Sequence, residues 1–134
     1  MALILDTGIV YAYYDRSDAW HARAKALLVD ESAGGLVLPA PVIPEIDHLL
    51  RHRVGNAACR VFYDGLVDGS YVVASVPSEG YARIVALNRQ YEELGFVDAA
   101  VIAIAEARGL RRVATTDRRH FGPLAGPLRL ALLP

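Results

Sequence analysis

An apolar segment near the start of the chain ends abruptly in polar residues. The run Ala2–Leu5 is followed by Asp6, Thr7 and Gly8. A short continuous apolar run that ends at a turn signal is typical of a strand buried on both faces, as in a parallel sheet. In open α/β sheets, ligands bind outside the carboxyl ends of the strands. Asp6 is therefore either a cap for the following helix or part of a site.

Short apolar runs alternate with amphipathic segments along the rest of the chain. The further runs that predict strands span residues 36–38, 71–74, 113–114 and 128–133. The clearest helix is predicted over residues 96–109. Strands that alternate with helices imply βαβ units and a mainly parallel sheet. No linker or repeat divides the chain, so we expect an α/β fold with a single domain over residues 1–134.

Helical spacing also predicts which side chains face the core. A helix over residues 57–67 is expected to turn Val61 and Phe62 inward. A second helix is expected to begin after Ser78, which would cap it, and to run to about Leu94. Its predicted inner face includes Tyr81, Ile84, Val85 and Leu87.

Composition and charge exclude several classes of protein. Hydrophobic residues make up 54% of the chain, yet no apolar run approaches the roughly 20 residues of a membrane span. The net charge of −1 excludes a polycation that coats nucleic acid. Met1 leads directly into the first strand and Cys59 is the single cysteine. We therefore expect no signal peptide, no internal disulfide and a cytoplasmic location.

Three more acidic residues occupy positions that solubility explains poorly. Glu45 lies beside the apolar stripe of a helix predicted from about Pro41 to Val54. Asp98 continues the buried face of the helix at 96–109 into its first turn. Asp117 follows a short strand, as Asp6 does. Each acid alone is explained as a helix cap or a solvated edge residue, but all four can meet at one end of a parallel sheet.

Four carboxylates that meet would repel one another, so such a cluster requires protons or cations. Oxygen ligands favour Mg²⁺ or Mn²⁺ over Zn²⁺, and none of the four histidines has a convincing metal-ligand spacing. A cation held by carboxylates supports phosphodiester hydrolysis. Arg118 and Arg119, directly after Asp117, are either phosphate contacts or part of a solvated turn. The histidines are His21, His48, His52 and His120.

This ordered set of residues resembles the PIN domain and, more narrowly, the VapC toxins of bacterial toxin–antitoxin pairs. The residues that carry the resemblance are Leu5-Asp6-Thr7, Pro44-Glu45, Val97-Asp98-Ala99-Ala100 and Thr115-Thr116-Asp117-Arg118-Arg119-His120-Phe121. The likeness covers nearly the whole chain in order, spacing and length. No single motif is specific, and the ordered set of four acids carries the resemblance.

The resemblance implies a three-layer α/β/α fold and a ribonuclease that depends on Mg²⁺ or Mn²⁺, cuts cellular RNA and inhibits translation. It implies a cognate VapB-type antitoxin and a homodimer. Asp6, Glu45, Asp98 and Asp117 match the catalytic acids. Of these, Asp6, Asp98 and Asp117 match the metal ligands. As accessory residues, Thr115 or Thr116 matches the hydroxyl position near the last acid, and Thr7 matches the small polar residue after the first, whereas Asp15, Asp18 and His21 receive no role.

Three other interpretations compete with this one. Asp6-Thr7-Gly8 also matches the aspartic proteases, but that chemistry needs an all-β scaffold and a second such motif. A phospho-accepting receiver domain needs a lysine near its acids, and Lys25, the single lysine, lies in an early helix. A PIN-like module that binds a partner without turnover would be favoured by the loss of one of the four acids, and all four are present.

Overall fold

Five parallel strands form the central sheet of the protein in a computed structural model that describes residues 1–134. In chain order the strands are β1 (Leu3–Leu5), β2 (Leu36–Pro39), β3 (Val72–Ala74), β4 (Arg112–Ala114) and β5 (Ala131–Leu133). Their spatial order is β3-β2-β1-β4-β5, and every neighbouring pair is parallel. The predicted parallel α/β sheet is confirmed.

Seven α-helices connect the strands. They are α1 (Thr7–Tyr14), α2 (His21–Glu31), α3 (Ile43–Arg53), α4 (Asn56–Val67), α5 (Gly80–Gln90), α6 (Phe96–Ala107) and α7 (Arg118–Ala125). Two single turns of 3-10 helix, Ser32–Gly34 and Ala40–Val42, flank β2. None of the helices combines the length and the apolar character that a membrane crossing requires.

The direction of the chain reverses at β1, and this reversal creates a crevice. The chain first moves outward from β1 through β2 to β3, and then returns to the other side of β1 at β4. Right-handed crossovers place α1 to α4 on one face of the sheet and α5 to α7 on the other. The result is the expected three-layer arrangement. Ligands of open α/β folds bind at such a reversal, outside the carboxyl ends of the strands.

The core lies on both faces of the short central strands. Leu3, Ile4 and Leu5 are fully buried, as their continuous apolar run predicted. The seven residues Ala99–Ala105 of α6 are also buried. Four of these seven are alanine, so the helix can approach the sheet closely with little side-chain volume between them. This close packing holds the first turn of α6 at the carboxyl edge of β1.

The region after β4 differs from the prediction. Residues 118–125 form the helix α7, which the sequence analysis did not anticipate because Gly122 and Pro123 interrupt its pattern. The strand predicted over residues 128–133 is confined to Ala131–Leu133. Arg129, with a φ of 54°, turns the chain just before this strand. Arg118 and Arg119 therefore lie in the first turn of a helix rather than in a loop.

Some residues expected on inner helix faces are exposed. Val61 is 58% exposed and Tyr81 is 54% exposed, while Phe62 is fully buried as predicted. In α4 and α5, the face that packs against the core is narrower than the stripe of apolar residues in the sequence. The stripe therefore predicts more buried residues than the structure has. Ser78 does not cap α5, whose first residue is Gly80, and α5 ends at Gln90.

Leu94 lies buried in the connection between α5 and α6, beyond the end of the helix predicted to reach it. The side-chain amide of Asn88 donates a hydrogen bond of 3.0 Å to the carbonyl of Leu94. This bond satisfies a backbone acceptor outside the helix ladder. It holds the connection against the end of α5, where the Leu94 side chain packs into the core although the helix has stopped.

Gly65→Ala is expected to lower the free energy of unfolding by about 1–3 kcal/mol because the new methyl group overpacks the core. A Cβ at Gly65 would lie 2.8 Å from Cε2 of the buried Tyr71. The hydroxyl groups of Tyr71 and Tyr14 are hydrogen-bonded at 2.7 Å, so the ring cannot shift freely. Urea unfolding measures the loss. In Gly122→Ala, no atom lies within 4 Å of the added Cβ, and equal losses in both variants would contradict the packing explanation.

Candidate active site

Asp6 lies at the carboxyl end of β1 and caps the N-terminus of α1. Its Oδ1 accepts a hydrogen bond of 2.8 Å from the backbone N–H of Thr7. Its Oδ2 accepts a hydrogen bond of 2.8 Å from the hydroxyl of Thr115, which follows the neighbouring strand β4. Asp6 is only 5% exposed and Thr115 is fully buried. The acid is therefore fixed at the floor of the crevice between β1 and β4.

Asp117 lies two residues beyond Thr115, which directly follows β4 as Asp6 follows β1. Its backbone N–H donates to the hydroxyl of Thr115 at 2.9 Å, so one threonine side chain links Asp117 to Asp6. Oδ1 of Asp117 accepts the backbone N–H of His120 at 3.0 Å and caps α7. Oδ2 lies 2.8 Å from Nδ1 of the same histidine. Thr115, predicted as an accessory position, therefore contacts both of these acidic residues.

Glu45 and Asp98 come from the first turns of α3 and α6. Glu45 is exposed, and its Oε1 accepts a hydrogen bond of 2.6 Å from the hydroxyl of Thr7. Asp98 is half-buried and does not cap its helix, because the N-cap position is Gly95. The capping explanation therefore holds for Asp6 and Asp117, but it fails for Asp98.

The charges of neighbouring acids affect the pKa values of Asp6 and Asp98. Burial raises the pKa of Asp6 from 3.8 to about 7, and the charge of Asp98 adds to this effect. Burial also raises the pKa of Asp98, with contributions from the charges of Asp117 and Glu45. The acids that the sequence placed at separate strand and helix ends therefore converge at one edge of the sheet.

Asp117 and His120 form an ion pair within this cluster. Burial opposes ionisation of Asp117, but the hydrogen bonds from the backbone and ring of His120 outweigh it and hold the pKa of the carboxyl group below its usual value. The same contact raises the pKa of His120 above its usual value. His120 is therefore favoured in its cationic form beside an ionised Asp117, and it partly offsets the charge of Asp98.

One compact group of ligand atoms is suited to a metal ion. Atoms of Asp98, Asp117 and His120 all lie within 4.8 Å of one another. Asp6 lies outside this group, although it is in the set of ligands predicted from the sequence. His120 was not expected there. The signal that could have found it is its spacing from Asp117, since i and i+3 share a face once Asp117 is read as the cap of a helix.

All four acids lie at the N-terminal ends of helices. Asp6 and Asp117 are the N-caps of α1 and α7, while Glu45 and Asp98 are in the first turns of α3 and α6. A helix N-terminus carries a partial positive charge of about half an elementary charge. Four such ends offset part of the repulsion among the carboxylates, which helps the fold to hold them together.

Thr116 and the arginine pair border this cluster. A Cβ on Gly8 would lie 2.3 Å from Oγ1 of Thr116, so the glycine allows the hydroxyl to pack against α1. Arg118 and Arg119 are both exposed. The Arg118 guanidinium donates a hydrogen bond to the carbonyl of Pro134, whereas Arg119 lines a cavity of about 200 Å³ beside His120. Of the two arginines, Arg119 is nearer to His120.

A family model described as the PIN domain matches residues 3–125 of the chain. The match spans every strand except β5 and includes all four acids. The chain belongs to the PIN-domain family. The resemblance inferred from the sequence is confirmed, and so is its PIN-like α/β/α architecture.

A curated relative of this PIN domain is Ribonuclease VapC26 of Mycobacterium tuberculosis. The two sequences are 34% identical over 137 residues, which cover 98% of this chain and 100% of the relative. The chain therefore spans the full length of a VapC protein, and the relationship to VapC proteins that the sequence suggested is confirmed.

Solved structures of the same fold come from toxin–antitoxin systems. The crystal structure of Mycobacterium tuberculosis VapC20, described as a sarcin–ricin loop cleaving toxin, has a TM-score of 0.81 at 21% identity and covers 90% of this PIN domain and 94% of VapC20. VapBC2 of Rickettsia felis, bound to a promoter DNA fragment, has a TM-score of 0.70 at 15% identity, with 98% and 97% covered. At these identities the likeness establishes the fold.

Proposed function

We propose that this protein is a ribonuclease toxin of a toxin–antitoxin pair, that it requires Mg²⁺ or Mn²⁺, and that it inhibits translation by hydrolysing RNA phosphodiester bonds. The observation that carries the proposal is the group formed by Asp98, Asp117 and His120, whose ligand atoms lie within 4.8 Å of one another. The relationship to Ribonuclease VapC26 supports RNA as the substrate.

The side chains of the site fit a divalent cation by their chemistry. Asp98 accepts no hydrogen bond from the protein, so its carboxylate is available as a ligand, and the pKa of this group is raised by burial and by neighbouring acids. Asp117 would complete the group together with His120, whose imidazole can bind a cation only after it loses the proton that the contact with Asp117 favours, and Asp6 would contribute a further carboxylate from the floor. Oxygen ligands with one imidazole suit Mn²⁺ better than Mg²⁺, because Mg²⁺ prefers oxygen alone.

The protein's own residues would divide the remaining work. When bound, the cation supplies Lewis-acid stabilisation of the phosphoryl oxygens and makes water a better nucleophile. Thr115 fixes the positions of the Asp6 carboxylate and the Asp117 backbone through one hydrogen bond to each. Thr7 holds Glu45, which is the exposed acid of the four and which would orient the attacking water.

Arg119 and Arg118 are proposed as RNA contacts at the other edge of the site. Both side chains are exposed in the first turn of α7, one helical turn from Asp117 or less. Arg119 lies beside His120 along the same cavity, so its guanidinium can contact a phosphate that flanks the cut. Arg118 already donates to the Pro134 carbonyl, so we expect the larger loss of RNA affinity from Arg119→Ala.

We further propose a VapB-type antitoxin as the partner that holds the enzyme inactive, a homodimer as the active assembly, and the cytoplasm as the location. Solved structures of the same fold include FitAcB from Neisseria gonorrhoeae and a toxin–antitoxin complex from Klebsiella pneumoniae. Exposed apolar side chains on this chain, such as Tyr81, Val85 and Phe96, offer surface that a partner can cover.

A total-RNA digest tests the proposal. Purified protein freed of antitoxin is incubated with cellular RNA in Mn²⁺, in Mg²⁺ and in EDTA, and the new RNA ends are sequenced. We expect discrete cuts with either cation and none in EDTA. Ribosomal RNA containing the sarcin–ricin loop is included because VapC20 is described as cutting that loop. Binding of Mn²⁺ without cleavage of any RNA would favour a binding module without turnover.

A further inference from the structure

A second pocket opens beside the acids, against α3. It has a volume of about 360 Å³ and is lined by Thr7, Glu45, His48 and Leu49. The hydrogen bond between the Thr7 hydroxyl and Glu45 lies on its wall, and Thr7 directly follows Asp6. The pocket is therefore continuous with the active site. None of the catalytic roles proposed above uses His48 or Leu49.

The His48 side chain at this pocket is supported by a second imidazole. The ring centroids of His48 and His52 are 4.2 Å apart, with an angle of 40° between the ring planes. Nδ1 of His52 lies 2.8 Å from the His48 carbonyl oxygen, which fixes the His52 ring against its own helix. His48 lines the pocket and His52 does not, so His52 packs against the His48 ring from outside the pocket and supports it.

The geometry of α3 directs this pair toward the acids. Glu45, His48 and His52 are separated by three and then four residues, so their side chains lie on one face of the helix. The same face begins at Glu45 in the catalytic cluster and continues outward through the two rings. A strand of RNA that leaves the cluster along α3 therefore meets the imidazole of His48 first.

The chemistry of the pocket favours a nucleobase over a phosphate. Glu45 is a carboxylate on its wall and would repel a phosphate group. A flat imidazole ring, by contrast, offers a stacking surface for an unstacked base, as aromatic and histidine side chains do in RNA-binding proteins. Leu49 adds an apolar contact at the same wall. These features suit the face of a base and not the backbone of the strand.

We propose that the pocket lined by Thr7, Glu45, His48 and Leu49 receives the nucleobase next to the scissile phosphodiester, which stacks on His48. The proposal rests on the ribonuclease function above and specifies how that site holds its substrate. The cavity at the opposite edge of the active site is lined by Arg119 and is the one assigned above to a flanking phosphate. The base would leave its RNA stack to enter, so the pocket favours loops and single strands.

An abasic scan tests the proposal. The cut site mapped in the total-RNA digest is made as a short RNA, and each nucleotide near the cut is replaced in turn by an abasic one. With wild-type protein, loss of one flanking base is expected to lower kcat/KM by about tenfold, as for other stacked bases. With His48→Ala, the intact RNA is expected to lose a similar factor, and the same abasic change is then expected to have no further effect. His48→Phe restores a flat ring and should restore the sensitivity.

Arg51→Ala is the matched control on the same helix. Arg51 contacts the hydroxyl of Tyr63 rather than the pocket, so its removal takes a positive charge from α3 without touching the proposed subsite. We expect the abasic penalty to persist in this variant. Additive losses in His48→Ala would overturn the subsite while leaving the ribonuclease function standing. If wild-type protein cuts no RNA, both proposals fall together.

Discussion

Asp98→Asn is expected to abolish measurable RNA cleavage while making the cation-free protein more stable. Asn preserves the shape of the side chain but removes a negative charge from the group formed with Asp117 and His120. Loss of an outer-shell partner of a metal ligand alone costs about 10- to 100-fold in affinity or activity, so loss of a direct ligand should exceed this range. Cleavage of the mapped RNA and calorimetric binding of Mn²⁺ measure the effect.

The gain in stability is the part of this result that a simple folding defect cannot mimic. The pKa of Asp98 is raised by burial and by neighbouring acids, so its ionised form costs free energy at neutral pH in the absence of a cation. The Tm in EDTA should therefore rise in Asp98→Asn. Added Mn²⁺ should raise the Tm of wild type and leave that of the variant unchanged.

Glu106→Gln provides the matched control for Asp98→Asn. Glu106 also lies on α6, but it is exposed and pairs with Arg83 at 2.7 Å, away from the site. Its substitution should leave cleavage intact and lower the Tm slightly, since an exposed ion pair contributes about 1 kcal/mol or less. Cleavage by Asp98→Asn at the wild-type rate would show that Asp98 is not a ligand required for catalysis.

The stability of the cation-free protein is expected to fall as the pH rises from about 4 to about 7. The pKa of Asp6 is 3.8 in the unfolded chain and about 7 in the folded protein. Between these values the folded state binds the proton that the unfolded state has released, so raising the pH favours unfolding. The difference in pKa corresponds to on the order of 4 kcal/mol.

Two neighbouring groups, His120 and Asp117, also contribute to the dependence of stability on pH. Asp117 raises the pKa of His120 in the folded protein. The stabilising effect of His120 is therefore also lost as the pH rises above the pKa that the histidine has in the unfolded chain. Asp117 has a lowered pKa, so its contribution disappears only in more acidic solution. Above about pH 4 the resolved shifts at the site therefore act in the same direction.

Urea unfolding in EDTA at about pH 5 and about pH 8 measures this effect, with Asp6→Asn as the comparison. The wild type should be less stable at the higher pH, and the slope should flatten in the variant. Saturating Mn²⁺ should also flatten it, because the cation offsets the charge that the lost proton leaves behind. A wild-type protein whose stability rises across this window would contradict the buried, charge-crowded position of Asp6.

The central strands and the four acids could be predicted because local pattern and global fold agree at those residues. The run Leu3–Leu5 is apolar at every position, as a strand covered on both faces requires, and it is fully buried. Asp6 and Asp117 follow neighbouring strands, and parallel strands end at the same edge. Their convergence with Asp98 therefore follows from topology, although the topology itself came from the resemblance to a known family.

The features that escaped prediction depend on tertiary contacts. His120 joins the acids only because α7 begins at Arg118, and Pro123 within that helix conceals it from pattern analysis. Val61 looks like a core residue from its spacing, but the inner face of α4 is filled by Phe62 and by Tyr71 pressing against Gly65. An apolar stripe in a helix indicates which face of the helix can be buried. The elements that pack against the helix determine how much of that face is buried.

The four acids enter the site from segments that are far apart in the chain, near residues 6, 45, 98 and 117. No stretch of local sequence, and no pair of adjacent secondary-structure elements, contains the complete set. The hydroxyl of Thr115 links Asp6 to Asp117 across more than a hundred residues of intervening chain. Catalytic competence is thus a property of the finished topology, so we expect a growing or unfolded chain of this protein to lack ribonuclease activity.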